Sequence, residues 1–181
     1  PLVTHPSWWA ARRTLRLWAL VLGANLAGTA IATLAMYHGG LADPGVLRGM
    51  VAVSAKLLMH TPGAIFLTAI PAGFLVAGLA WLLPNGREQA FFVIVAVTWV
   101  VGAGGFSHSV VGSAEAFLLV WDGRVGFLTA LATIVAPAAA GNLVGGAGLF
   151  ALLAHGQVQG EKASAARARK RPVFSASRRR S

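Results

Sequence analysis

The sequence contains no cysteine, one tyrosine and only five acidic residues among its 181 positions. The lack of cysteine excludes a disulfide-stapled scaffold and any cysteine-ligated metal site. Charged residues make up 11% of the chain and hydrophobic residues 56%, whereas a soluble domain has about 25% charged residues. The mean hydropathy is +0.69. This composition predicts an all-α integral membrane protein, because a helix satisfies its own backbone groups in lipid.

The positive charge of the chain lies mainly in its C-terminal tail. The net charge is +10, and eight of the fifteen basic residues follow Gly160. The excess therefore belongs to a tail and not to a folded basic face, and no nucleic-acid partner is predicted. Residues 155–181 are predicted to form a disordered, basic, cytoplasmic tail. This tail either contacts anionic membrane lipids or acts only as a determinant of topology.

Hydropathy divides the chain into membrane spans and flanking segments. Residues 1–16 are predicted to form a cytoplasmic loop, and a transmembrane domain covers residues 17–154. The predicted spans cover residues 17–36, 63–83, 90–120 and 126–154. With four crossings, twelve Lys and Arg residues fall on the side of the C-terminus and three on the other side. The positive-inside rule therefore places the C-terminus in the cytoplasm.

The third span is too long for one straight helix. Its apolar run covers residues 90–120, whereas roughly 20 helical residues cross the hydrocarbon core. Gly102, Gly104 and Gly105 lie near its centre, and glycine tolerates irregular backbone. We predict a break at residues 102–109 that carries His108 near mid-membrane. Irregular backbone at that depth occurs only inside protein or beside a watery cavity, so His108 is a candidate substrate site.

A short sequence repeat links the first and last spans. Residues 23–28 read Gly-Ala-Asn-Leu-Ala-Gly, and residues 140–145 read Ala-Gly-Asn-Leu-Val-Gly. These two spans run in opposite directions through the membrane, as in an inverted repeat. The small residues are also typical of close helix packing. Asn25 and Asn142 are therefore predicted either to form interhelical hydrogen bonds or to line a pore.

The motif around His108 resembles the formate/nitrite transporter family. The resemblance is carried by Gly105-Phe106-Ser107-His108-Ser109, by Pro137-x-x-x-Gly141-Asn142-x-x-Gly145-Gly146 and by the repeat in the first span. It implies an aquaporin-like helical bundle with inverted repeats and a broken fifth helix. It also implies a homopentamer in the bacterial inner membrane. The chain corresponds to helices three to six of this family, and we expect the first two helices to belong to a longer protein.

The resemblance assigns several residues to a pore. His108 matches the family's central pore histidine and Phe106 the aromatic residue before it, while Ser109 follows in the same motif. Ser107 stands where the family commonly has an acidic residue, and Gly112 and Gly73 stand where it has asparagine. Val101 replaces an aromatic residue at the cytoplasmic constriction. The implied ligands are small anions and protons.

The physical case for His108 does not depend on the family. Imidazole changes charge near neutral pH, so it can offer an anion either a positive charge or a proton in a dry passage. A histidine satisfied by a backbone carbonyl is the structural alternative. Glu115 lies seven residues further along, on the same helical face, and is a possible ionisable partner for transport or for a subunit contact.

Two classes of function follow from these patterns. The first is a transmembrane channel or proton-coupled transporter for small monovalent anions. The second is a membrane structural or interaction protein with a non-conducting pore. No nucleophile with a base, paired carboxylates or phosphate-binding loop is evident in the sequence, and an enzyme is not predicted. The histidines show no metal-ligand spacing, and no cofactor or metal is expected.

Overall fold

The computed structural model describes residues 7–84 and 87–170. Within these residues every element is a helix. The first four long helices are α1 (Trp8–His38), α2 (Pro44–Ser54), α3 (Pro62–Leu82) and α4 (Ala90–Ala103), followed by α5 (Ser109–Trp121). Short 3-10 turns cover Ala55–Met59 and Arg87–Gln89. The last helix, α6, covers residues 127–170 and contains π-helical turns at Leu131–Val135 and Val144–Phe150.

The helices are long and apolar enough for a membrane. Three helical segments meet the length and hydropathy of a membrane span, namely Trp8–His38, Pro62–Leu82 and Phe127–Gly160. Helices α4 and α5 are apolar but individually too short to cross. This arrangement confirms the all-α integral membrane class predicted from composition. The aquaporin-like bundle and the inverted repeat stay predictions.

Side-chain caps begin several helices at the expected positions. Thr61 accepts a hydrogen bond from the Ala64 N–H at 3.2 Å, and Pro62 occupies the first turn of α3. Ser7 caps α1 in the same way through the Ala10 N–H. These contacts satisfy donors that have no partner inside the helix, so polar or imino residues mark the helix starts in an otherwise apolar sequence.

Two flanking segments are more helical than their sequences predicted. Helix α1 begins at Trp8, inside the predicted loop at residues 1–16, and α6 continues to Lys170, inside the predicted disordered tail. Hydropathy locates the part of a helix that lies in the hydrocarbon core of the membrane. It does not locate the two ends of the helix. Alanine and arginine, which occur in both extensions, are strong helix formers. The remaining parts of the two predicted segments lie outside the described residues.

The core is built on close contact between α3 and α6. A Cβ atom added to Gly141 would clash with the carbonyl oxygen of Phe66, and one added to Gly145 would clash with that of Ile70. The small-residue seam predicted in the last span therefore brings the two helix backbones together. Ile65 of α3 and Ala138 of α6 are buried in the hydrophobic cluster beside this seam.

Helix α5 is held on its other side by α1. The hydroxyl groups of Thr29 and Ser113 are 2.9 Å apart, and the Trp121 Nε1–H donates to Thr33 Oγ1 at 3.1 Å. Phe117, which is 1% exposed, fills the centre of the α5 contact surface. Because α5 is fixed by apolar packing and by side-chain hydrogen bonds, its N-terminal end has a defined position next to α3 and α6.

Candidate functional site at the helix break

The chain between α4 and α5 makes a tight turn that depends on glycine. The Gly105 N–H donates to the Gly102 carbonyl at 3.1 Å, and the Phe106 N–H donates to the Val101 carbonyl at 3.0 Å. Gly105 has a φ of +62°, a conformation that other residues rarely adopt. A Cβ atom on Gly104 would lie 2.8 Å from the Phe106 ring. The chain then runs in extended form to His108, at the N-terminus of α5.

Asn142 of α6 satisfies the backbone groups that this break leaves free. Its Nδ2 donates to the Ser107 carbonyl at 3.1 Å and to the Ala69 carbonyl of α3 at 2.8 Å. Its Oδ1 accepts from the Ser109 N–H at 2.9 Å. One carboxamide thus joins three helical elements and replaces the hydrogen bonds that a continuous helix would have made. The first of the two roles considered for Asn142, interhelical hydrogen bonding, is the one seen.

His108 differs from its neighbours in the surroundings of one ring nitrogen, Nδ1. Its Nδ1 atom is buried and has no hydrogen-bond partner among the described residues. A buried polar group without a partner costs about 1–3 kcal/mol. The sequence also allowed a structural role for His108, in which a backbone carbonyl forms a hydrogen bond with the ring. Nδ1 makes no such bond within the described residues. The hydrogen-bonding capacity of this atom is therefore not used by any described residue.

A cavity of about 590 Å³ lies beside the break, and we call it the break cavity. Helix α5 lines it with His108, Val111, Gly112 and Glu115. The break itself adds Gly105, Phe106 and Ser107, and α4 adds Val97, Thr98, Val101 and Gly102. Helices α3 and α6 add Ile65, Val76, Leu79, Ile134 and Ala138, and the preceding segment adds Val53, Lys56, Leu57 and His60. The walls are thus mainly apolar with a few polar groups, as in many small-ligand sites.

A hydroxyl pair occupies the position next to His108. The Ser107 and Thr68 hydroxyl oxygens are 2.9 Å apart. Thr68 Oγ1 also lies 2.9 Å from the Ala64 carbonyl oxygen. Either hydroxyl group can be the donor in the contact between Ser107 and Thr68. Ser107 thus places a neutral hydroxyl group, hydrogen-bonded to α3, next to His108.

The structure brings together only part of the residues predicted for the site. Five of them line the break cavity: Val101, Phe106, Ser107, His108 and Glu115. The other four are not among the described lining residues. Ser109 and Asn142 bond each other at the break. A Cβ atom on Gly73 would clash with the Asn142 backbone, so a larger residue does not fit there.

Asn25 makes no side-chain hydrogen bond to another helix within the described residues. It is exposed on α1, and its Nδ2 donates to the Val21 carbonyl of the same helix at 2.9 Å. The two asparagines of the repeat therefore have different surroundings in the described part of the chain. The shared sequence motif therefore does not lead to the same contacts in the two helices.

Lys56, His60 and Thr98 line the break cavity but were not predicted from the sequence. The His60 Nδ1 atom lies 2.9 Å from the Lys56 carbonyl oxygen. The one available signal was a cation within an apolar segment, which often marks a functional position in a membrane protein.

Comparison with known proteins shows the family of this chain. The family model described as formate/nitrite transporter matches residues 2–156. Inner membrane protein YfdC of Escherichia coli (strain K12) is 30% identical over 171 residues, which cover 94% of this chain and 55% of that protein. The chain thus spans about half of the length of this relative. No solved structure gives a significant match. The apolar helices and the extent of the family match show that this multi-pass membrane protein belongs to the formate/nitrite transporter family.

Proposed function

We propose that this protein is a channel or proton-coupled transporter for small monovalent anions such as formate or nitrite, with His108 at the centre of its pore. The observation that carries the proposal is the buried, unpaired Nδ1 atom of His108 at a glycine break. Membership of the formate/nitrite transporter family supports the same class of substrate. The inner-membrane description of the Escherichia coli relative supports a location in the bacterial inner membrane.

The chemistry of the break cavity suits this role. Apolar walls make an unpaired anion costly, because such walls replace little of its hydration. A protonated imidazole lowers this cost by its charge, and it also supplies a proton that neutralises the anion. Phe106 and Val111 line the cavity close to His108 in the chain, and their apolar side chains strengthen the electrostatic interaction by excluding water. His108 is therefore the group that decides whether an anion passes.

Uptake into proteoliposomes tests the proposal. The full-length wild-type protein is compared with His108→Asn and His108→Phe, with radiolabelled formate and nitrite as substrates and external pH as the variable. Asn keeps a hydrogen-bonding group without a titratable one, so pH dependence should disappear. Phe should close the pore. His38→Asn serves as the matched control, because His38 lies at the end of α1 and outside the described cavity lining.

The alternative function has a distinct outcome in the same experiment. If the wild type and both His108 variants showed the same uptake and pH profile as empty liposomes, the pore would be non-conducting. The protein would then be a membrane structural or interaction protein. Equal, substantial uptake by all three proteins would instead show that His108 is structural.

The orientation and the tail form a separate part of the proposal. We propose that the C-terminus is cytoplasmic, because the side that carries it has most of the Lys and Arg residues. The basic residues beyond Gly160 then face anionic lipid headgroups. A reporter fused after Ser181 should be active only in the cytoplasm. Activity of a periplasm-specific reporter at the same position would reverse the assignment.

A further inference from the structure

One face of α5 forms a continuous wall of the break cavity. The residues on this wall are His108, Val111, Gly112 and Glu115. Their spacing of three, four and seven residues places them on one side of a helix. Gly112 has no side chain, and among the described residues no atom outside its chain neighbours and the nearby backbone of its own helix lies within 4 Å of the position that its Cβ would take. The space beside Gly112 is therefore open between the His108 end of the wall and the Glu115 end.

Four titratable groups face this cavity among its described lining residues: Lys56, His60, His108 and Glu115. Helices α3, α4 and α6 contribute only uncharged residues to the described lining. No ion pair joins Lys56 to Glu115 within residues 7–84 and 87–170. The residue before His108 is the neutral Ser107, so Glu115 is the acidic side chain among the described groups of the cavity wall.

We infer that Glu115 is a specificity-determining residue that couples the passage of an anion to a proton. Its negative charge favours the protonated form of His108 and opposes an anion that enters alone. An anion that enters with a proton on His108 is affected much less, because the two effects have opposite signs. The inference rests on the proposed function, since it concerns the same pore.

The expected size of this coupling follows from the helix geometry. Seven residues at a rise of about 1.5 Å each place Glu115 about 10 Å along the axis from His108. At an effective dielectric constant of about 20, a unit charge at this distance changes an equilibrium on the order of tenfold. Removal of the negative charge makes the protonated imidazole less favourable. The midpoint of the pH profile of uptake should therefore move to lower pH by about one unit.

The test measures uptake of radiolabelled formate or nitrite into proteoliposomes as a function of external pH. Wild-type full-length protein is compared with Glu115→Gln and Glu115→Asp. The Gln variant should show the lower midpoint. The Asp variant keeps the charge and should retain a midpoint near that of the wild type. Glu88→Gln is the control, since Glu88 lies on the turn Arg87–Gln89 and outside the described lining.

Lys56→Gln provides a reciprocal measurement that does not require the Glu115→Gln protein to fold. Removal of a positive charge from the same cavity should move the midpoint to higher pH. An unchanged midpoint in Glu115→Gln, or an equal shift in Glu115→Asp, would overturn the inference. In either case, loss of pH dependence in His108→Asn would show that the proposed function still holds. If the His108 variants were also unchanged, the proposed function itself would fail.

Discussion

Asn142 Oδ1 accepts a hydrogen bond from the backbone N–H of Ser109 at 2.9 Å, at the first residue of α5. The Nδ2 atom of the same side chain donates to the Ser107 carbonyl on the other side of His108. The position of His108 is therefore set from α6, which is distant in sequence. A carboxamide suits this task because it offers donors and an acceptor together.

Asn142→Ala should destabilise the protein by about 2 kcal/mol or more, because it leaves backbone groups at the break unpaired. The free energy of unfolding in mixed micelles, followed by tryptophan fluorescence during titration with SDS, measures this effect. The matched control is Asn25→Ala, which removes an exposed bond to Val21 within one helix. We expect about 0.5 kcal/mol or less for the control. Equal losses in the two variants would contradict the role assigned to Asn142.

Gly145→Ala should separate α3 from α6. The added methyl group would clash with the backbone carbonyl of Ile70, which has no flexible end to move aside. Overpacking of this kind costs about 1–3 kcal/mol. Gly148→Ala is the control on the same helix, because nothing lies within 4 Å of the position of its Cβ. The same unfolding measurement applies, and a Gly145 variant as stable as the Gly148 variant would show that the helices pack less closely.

The contact of Asp122 with Tyr37 should make stability depend on pH. The Tyr37 hydroxyl donates to Asp122 Oδ1 at 2.7 Å, and this bond, with a second one from Arg124, holds the pKa of the Asp122 carboxyl below its usual range. A lowered pKa in the folded state contributes stability above the unfolded pKa, and the contribution is lost as pH falls through the folded pKa. The wild type should therefore exceed Asp122→Asn in stability at neutral pH and lose this advantage in acid. A difference that stays constant over the whole pH range would contradict the assignment.

We predict that the protein assembles as a homopentamer through the outer surface of its helices. Helix α4 is strongly apolar, and none of its residues is buried. Phe91, Phe92 and Trp99 are each at least 70% exposed, so this surface faces lipid or a neighbouring protomer. The native mass of the full-length protein in mild detergent should equal five protomers. A single monomeric or dimeric species would rule this assembly out.

Several features of the fold could be predicted from sequence because they depend on local chemistry. Hydropathy located the apolar segments, since each of them is a continuous stretch of chain. The glycines at positions 102–105 marked the interruption between α4 and α5. The ends of α1 and α6 were misplaced because Ala-rich and Arg-rich segments form helices outside the hydrocarbon region as well.

The site was less predictable because membership of a cavity depends on helices that are far apart in sequence. His108 and Glu115 share a face of one helix, and this follows from their spacing. Lys56 joins them only because the segment after α2 packs against α5, and Ser107 is engaged by Thr68 of α3. Asn25 and Asn142 share the motif Asn-Leu-x-Gly but have different neighbours. The shared motif does not distinguish their surroundings.

The sequence by itself determined the membrane class, the apolar segments and the glycine-rich interruption between α4 and α5, because burial in lipid and glycine flexibility act on local stretches of chain. Only the tertiary structure decided which polar groups are satisfied. In the folded chain the carboxamide of Asn142 forms hydrogen bonds with the backbone at the break. The Nδ1 atom of His108 has no partner among the described residues. The physical reason is that a hydrogen bond requires atoms within about 3 Å, and helix packing alone brings such distant residues together.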